Sequence, residues 1–312
     1  MNDIEDRLRQ LLTQAPPELG AIDPETLLAP RATQRRSARP RLVATAASVA
    51  AVAGVAVALA TLGHSGPVNR QPGNQAGSEH PPAGTFAHIP ESVYDAVGAP
   101  AAPGHVAVAV SKLEGPALTA DGRPEVLHVG ADWAPYDAAE RWVLAAALSR
   151  FGTLSGLALT ASKSDDVDPN TATLSFHGAR LASDQVSAVF KDIEGTDMKP
   201  LDRLTTAEEQ IFAGVARNSF PFIDVAGRYK IGTQFDPAVL KGLDQAQIAD
   251  ALTDPTSPVA KAVLGAANVL TAAICDVTGG QPADVCGSTG VAAAKRLLDT
   301  VPGQPANTNA TN

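Results

Sequence analysis

The chain is poor in the residues that most catalytic and binding classes depend on. It has 312 residues but only two cysteines, Cys275 and Cys286, two tryptophans, two methionines and 4% aromatics. Two thiols, with no histidines clustered near them, are too few for a structural zinc site. There is no excess of positive charge: the formal net charge is -9, which argues against a nucleic-acid-binding surface. No nucleophile elbow, phosphate loop, paired metal-ligand motif or dinucleotide fingerprint occurs. Gly279, Gly280 and Gly287 lack the strand context of a phosphate cradle. His64, His80 and His88 have spacings that fit no metal site and read as solvated residues, and His128 and His177 read as packing residues within or beside strands. No cofactor and no metal is expected. What is abundant is alanine, glycine and proline, a composition of the kind high-GC genomes produce.

Charge is also absent from one long run. Leu42 to Leu62 contains no ionisable residue and spans ~30 Å as a helix, the thickness of a bilayer's hydrocarbon core. Arg31, Arg35, Arg36, Arg39 and Arg41 precede it, and the next basic residue is Arg70. The positive-inside rule then places residues 1–41 in the cytoplasm and the acidic C-terminal bulk outside. A cleaved signal peptide ending near Ala58-Leu59-Ala60 and a twin-arginine export signal at Arg35-Arg36 are alternatives. The forty residues before the run are long for the first, and the apolar residues expected after the arginine pair are absent for the second. Before the run, Ile4, Leu8, Leu11 and Leu12 share one face of a short helix that Pro16-Pro17 stops. This helix reads as a surface or membrane-associated element, or as a contact for a cytoplasmic regulator. Residues 63–87 form a Gly-, Pro- and Asn-rich linker. Residues 88–300 form the globular domain and 301–312 a disordered tail.

Within that domain the periodicity predicts an α/β fold. Glu125 to Ala131 is a buried strand, and after the turn Asp132-Trp133-Ala134-Pro135-Tyr136-Asp137 a helix runs from Ala138 to Phe151, burying Trp142, Leu144, Ala145 and Leu148. Strands are expected around 106–110, 157–162, 171–176 and 186–193. Thr206-Ala207-Glu208-Glu209 reads as a capping box opening a helix to about Ala216. Pro221 to Val225 and Arg228 to Gly232 form a hairpin about Ala226-Gly227, and helices follow at about 245–252, 256–275 and 281–299.

The motif Gly130-Ala131-Asp132-Trp133-Ala134-Pro135-Tyr136-Asp137-Ala138-Ala139-Glu140-Arg141-Trp142, with Ala147 to Thr153, Pro221-Phe222-Ile223-Asp224 and the late cysteine pair, resembles a membrane-anchored prokaryotic family of unknown function, domain of unknown function 929, over roughly residues 90–295. The resemblance implies a thioredoxin-like central sheet with helices and a C-terminal helical extension, preceded by one transmembrane helix. It also implies a cis-proline at Pro221 opposite the redox turn. Family members usually carry Cys-Pro-Tyr-Cys or Cys-Pro-Phe-Cys where this chain has Ala134, Pro135, Tyr136 and Asp137. The scaffold of a disulfide oxidoreductase is therefore expected without its sulfurs.

Asp137 at the helix N-terminus is expected to cap the helix and stay ionised, since amide groups and dipole favour a carboxylate there. A general acid or base is the alternative. Trp133, Tyr136 and Pro221 would remain as an aromatic surface for an extended peptide. Cys275 and Cys286 flank a Gly-Gly-Gln-Pro turn and suit a structural disulfide outside the cell. A relocated redox pair is the second reading and a metal site the third. The function expected is a non-redox binding or structural role at the cell envelope. The alternatives are a thiol-disulfide oxidoreductase working through Cys275 and Cys286, and single-pass signalling through the N-terminal segment. The partners expected are the membrane and an extracytoplasmic peptide or protein.

Overall fold

The computed structural model describes residues 89–100 and 109–304. The expected cytoplasmic segment 1–41, the apolar run 42–62, the linker 63–87, His64, His80, His88 and residues 305–312 of the expected tail lie outside the described residues, whereas Gly303–Gln304, counted in that disordered tail, form a strand held by pairing with Lys112 and Leu113. What is described is a mixed α/β domain with one seven-stranded sheet and seven α-helices. The sheet is built on β3 (Arg123–Ala131). Its parallel neighbour is β8 (Ser187–Glu194), and its antiparallel neighbour on the other side is β9 (Phe222–Val225). Then follow β10 (Tyr229–Ile231), β1 (Val110–Leu113) and β11 (Gly303–Gln304), while β2 (Thr119–Ala120) folds back on the start of β3. Two small two-stranded antiparallel sheets, β4 (Thr153–Ser155) with β7 (Arg180–Ala182) and β5 (Ala158–Ala161) with β6 (Ala172–Ser175), stand apart from the sheet.

The last six residues of β3 are all buried, as a central strand covered on both faces requires. Alternate side chains serve two cores. Val126 joins Ile223, Val225 and Ile231 in the larger core, under α2 (Pro135–Leu148) and α5 (Pro258–Val277). Leu127 and Val129 pack with Phe222, Phe212 and Ala216 in the smaller one. That face is covered by α3 (Thr206–Ile211) and the π-turn Phe212–Ala216 that continues it. Thr205, one residue earlier than expected, is the N-cap: its side chain accepts from Glu208 N–H while the Glu208 carboxylate accepts from Thr205 N–H. The helix C-terminal to the late cysteine turn is likewise two pieces, α6 (Ala283–Cys286) and α7 (Thr289–Thr300), because Gly287 ends one and Ser288 caps the next.

Helix α5 is 20 residues long and apolar enough to cross a membrane, yet 83% of its most apolar window is buried against the rest of the domain. Ser257 caps it and Pro258 occupies its first turn. It packs on α2, α7 and α1 (Glu91–Val97). The remaining helix, α4 (Gln245–Ala251), is capped by the Asp244–Gln247 box and buries Ile248. Cys275 and Cys286 are joined by a disulfide whose Cα atoms lie 5.6 Å apart, tying α5 to α6.

Candidate functional site

The turn Ala134-Pro135-Tyr136-Asp137 sits where β3 passes into α2. Pro135 opens the helix, where a missing N–H costs nothing. Every residue of α2 except Tyr136 is buried, so a helix that could have been amphipathic is a central strut. The cost is that Asp137, Glu140 and Arg141 go inside with Trp142.

Asp137 does not cap the helix. The N-cap is Ala134, which offers no side-chain acceptor. The Asp137 carboxylate turns back instead and accepts the Ala131 N–H at 3.0 Å. It is fully buried, and burial pushes its pKa up to about 7 against the pull of Arg141 and the Ala131 N–H. The expectation of a solvated, permanently ionised cap is therefore corrected: the first helical turn is covered, and desolvation outweighs the dipole. Gly130 makes the seat possible, since a Cβ there would fall 2.6 Å from Asp137 Oδ1 and 2.9 Å from the His128 ring.

Around this carboxyl lies a buried ionisable cluster. Arg141 Nη2 reaches Asp192 Oδ1 at 2.8 Å and Asp132 Oδ1 at 3.1 Å. Asp192 also accepts from Phe176 N–H, His177 N–H and the Ser175 hydroxyl. Burial works to raise the Asp192 pKa, but Arg141, His128 and the Phe176 N–H together hold it below the usual range. Asp132 is pushed up to about 6 by burial, against Arg141. His128, between Asp137 at 3.9 Å and Asp192 at 4.0 Å, is lowered to about 4 by burial and is neutral at physiological pH. Neither of its ring nitrogens makes a hydrogen bond, and Glu140 is fully buried, which with the nearby Asp137 drives its pKa well above the ordinary value. At neutral pH the cluster thus consists of one ion pair, Arg141 with Asp192, beside groups kept neutral or poised to titrate.

The outer surface of the same turn is different in kind. Tyr136 is 47% exposed, the largest apolar group of the turn that faces water. Trp133 is only half-buried: its indole N–H donates to Glu194 at 2.7 Å and its ring meets Phe220 edge-on at 5.5 Å. The Phe220–Pro221 peptide bond is cis. Thr233, after β10, donates its hydroxyl proton to the Tyr136 carbonyl. Trp133, Tyr136 and the Pro221 loop are therefore brought together, as one rim beside a cleft of about 210 Å³ lined by Ser219, Phe220, Pro221, Lys230 and Thr233. Cys275 and Cys286 belong to the α5–α6 hairpin instead, Cys275 being buried. His177 is not a packing residue: its ring is half-exposed and faces Asp202 at 2.9 Å. Among the described residues no group of three or more acidic, histidine or cysteine side chains could hold a metal ion.

Sequence reasoning did not mark Asp192, and it did not see His128, Glu140 and Arg141 as one cluster. The i, i+3, i+4 spacing of Asp137, Glu140 and Arg141 put them on one face of α2. What was missing was a reason to bury that face.

Residues 109–212 match the model of the family described as domain of unknown function 929. The match agrees over this stretch with the resemblance read from the motifs. The DUF929 match contains the 134–137 turn and the whole of the buried cluster, and it is narrower than residues 90–295: Pro221 and the cysteine pair lie beyond it. No curated protein and no solved structure matches the chain.

Proposed function

We propose that this chain is a membrane-anchored, extracytoplasmic protein with a thioredoxin-like domain that binds an extended peptide or protein segment and does no thiol chemistry. The thioredoxin-like part of the reading is supported by the strand order β8-β3-β9-β10, with β8 parallel to β3, β9 antiparallel to β3 and β10 antiparallel to β9, and by the cis-proline that precedes β9. The anchor is supported by the apolar run 42–62 and the arginines on its N-terminal side.

One observation carries the non-redox reading. The position of the second motif cysteine is held by Asp137, a carboxyl fully buried and bonded to the Ala131 N–H, and the chain's two cysteines are bonded to each other elsewhere. Thiol-disulfide exchange needs an accessible sulfur to attack or be attacked. What survives at the turn is a rim of Trp133, Tyr136 and Pro221.

The test is an insulin-reduction assay on the full chain, run beside thiol trapping of Cys275 and Cys286 across a glutathione series. Turnover at background level, with a disulfide that stays closed to below about -300 mV, is expected. Catalysed insulin reduction would sink the proposal. A reporter fused after residue 312 tests the topology: activity only on the outer side is expected.

A further inference from the structure

We infer that the cleft beside Pro221 takes an extended segment of another protein by an acidic side chain, which Lys230 anchors. This rests on the peptide-binding reading above and adds the chemistry of the partner. The cleft is about 210 Å³, below the ~300–1,000 Å³ of small-molecule sites, so it fits one or two side chains of a chain passing over it. Its walls are apolar at Ala216, Phe220 and Pro221, and its cation is Lys230, half-buried in the middle of β10.

A lysine that lays its stem along apolar walls and has no ion pair keeps its ammonium available to a ligand. Lys230 has none among the described residues. The carboxylate nearest by register is Asp224, directly across on β9, and its Oδ1 is taken by the Gly227 N–H at 2.6 Å. Arg217, next in sequence to the lining residue Ala216, is exposed and has no ion pair among the described residues. With Lys230 as the cation of the cleft, charge complementarity selects an acidic side chain from the partner. The backbone supplies the other half of the recognition. The N–H and C=O of Phe220 bond to no other described residue, which leaves them open to pairing with an extended strand.

The experiment is fluorescence polarisation with the detergent-purified full chain and pairs of labelled extended peptides that differ only by glutamate against glutamine, each with a free and an amidated C-terminus. Tighter binding of the glutamate member by about tenfold is expected, unaffected by amidation. Lys230→Gln should abolish the preference while leaving glutamine peptides bound as before. Lys230→Glu should reverse it, and Lys230→Arg should retain it. Glutamate and glutamine peptides binding alike, with both lost on Tyr136→Ala, would keep the groove and overturn the role of Lys230. A preference that survives Lys230→Gln, or one that follows the free C-terminus, would also overturn it. Failure of every peptide to bind would remove the peptide-binding reading and this inference together.

Discussion

Two arginines nine residues apart, one within helix α2 and one just past its end, have buried side chains, and the protein treats them differently. Arg150, two residues past the C-terminal end, has partners for both terminal guanidinium nitrogens, and only its Nε makes no hydrogen bond. One guanidinium nitrogen donates to Asn268 Oδ1 at 3.0 Å and Thr271 Oγ1 at 3.1 Å, the other to Ser288 and Glu91, and the cation lies 4.4 Å over the Tyr94 ring. Its partners come from α1, α5 and the cap of α7, so the arrangement fastens four helices together. Arg141, at the end nearer the turn, faces more carboxyl groups than it can serve: Asp192 and Asp132 share one nitrogen, and its other two nitrogens make no hydrogen bond. Satisfied polar networks specify a packing, whereas part-satisfied ones are left where something other than stability shaped the site. In this domain the unsatisfied end lies directly beneath the candidate binding rim.

That contrast can be broken from either side. The largest effect expected is from Arg141→Met, which leaves Asp192 and Asp132 without a counter-ion in the core. A loss of about 5 kcal/mol, the upper end for a broken buried pair, should appear in urea unfolding at pH 7. Next comes pH. The Asp137 carboxyl rises from an ordinary 3.8 to about 7 on folding. Its proton is bound more tightly by the native state, so its contribution is fully present below about pH 4 and is lost as pH rises through 7, by roughly 4 kcal/mol. Asp132, raised to about 6, adds to the same slope. The domain should therefore melt lower at pH 8 than at pH 5. Asp137→Asn, which can still accept the Ala131 N–H, should flatten that profile and be the more stable protein at pH 8; an unchanged profile would show that Asp137 does not carry the proton.

On the satisfied side the effects are smaller. Replacing Cys275 and Cys286 by serine should cost about 3 kcal/mol, the entropy of a loop this short, seen as a lower melting temperature under non-reducing conditions. Arg150→Met should cost about 2 kcal/mol, less than Arg141→Met, because the one carboxylate it abandons, Glu91, has a side chain 41% exposed and can be hydrated. Equal losses for the two arginines would remove the comparison.

The sequence was most legible where a local pattern decides. The buried run of β3, the hairpin about Ala226-Gly227 and the helix following the X-Pro-Tyr-X turn all follow from burial period and turn residues. Helix ends were off by a residue or a break, as at Thr205 and Gly287, because neighbouring threonines or a glycine inside a long apolar run leave more than one choice. The cluster was illegible for a different reason. Glu140 and Arg141 look like solvent-facing residues of any surface helix. The partner of Arg141, Asp192, is on β8, and only the parallel pairing of β8 with β3 brings it there. The exposed rim was readable at Trp133 and Tyr136, but Lys230 was not, since nothing local says that Asp224 across from it is already engaged.

Helix α5 has a consequence for how the chain is made. If the protein is exported as proposed, the insertion machinery meets two apolar runs, 42–62 and 258–277, and on hydropathy alone the second qualifies as a span. Only in the folded domain does it become a core helix, with Asn268 donating to the Tyr94 and Gly98 carbonyls and Thr271 held beside Arg150. Biogenesis is then a race between capture of that segment by lipid and its burial by the domain. The two polar residues at its centre, which fasten the finished protein, also lower its appeal to the bilayer while the race is being run.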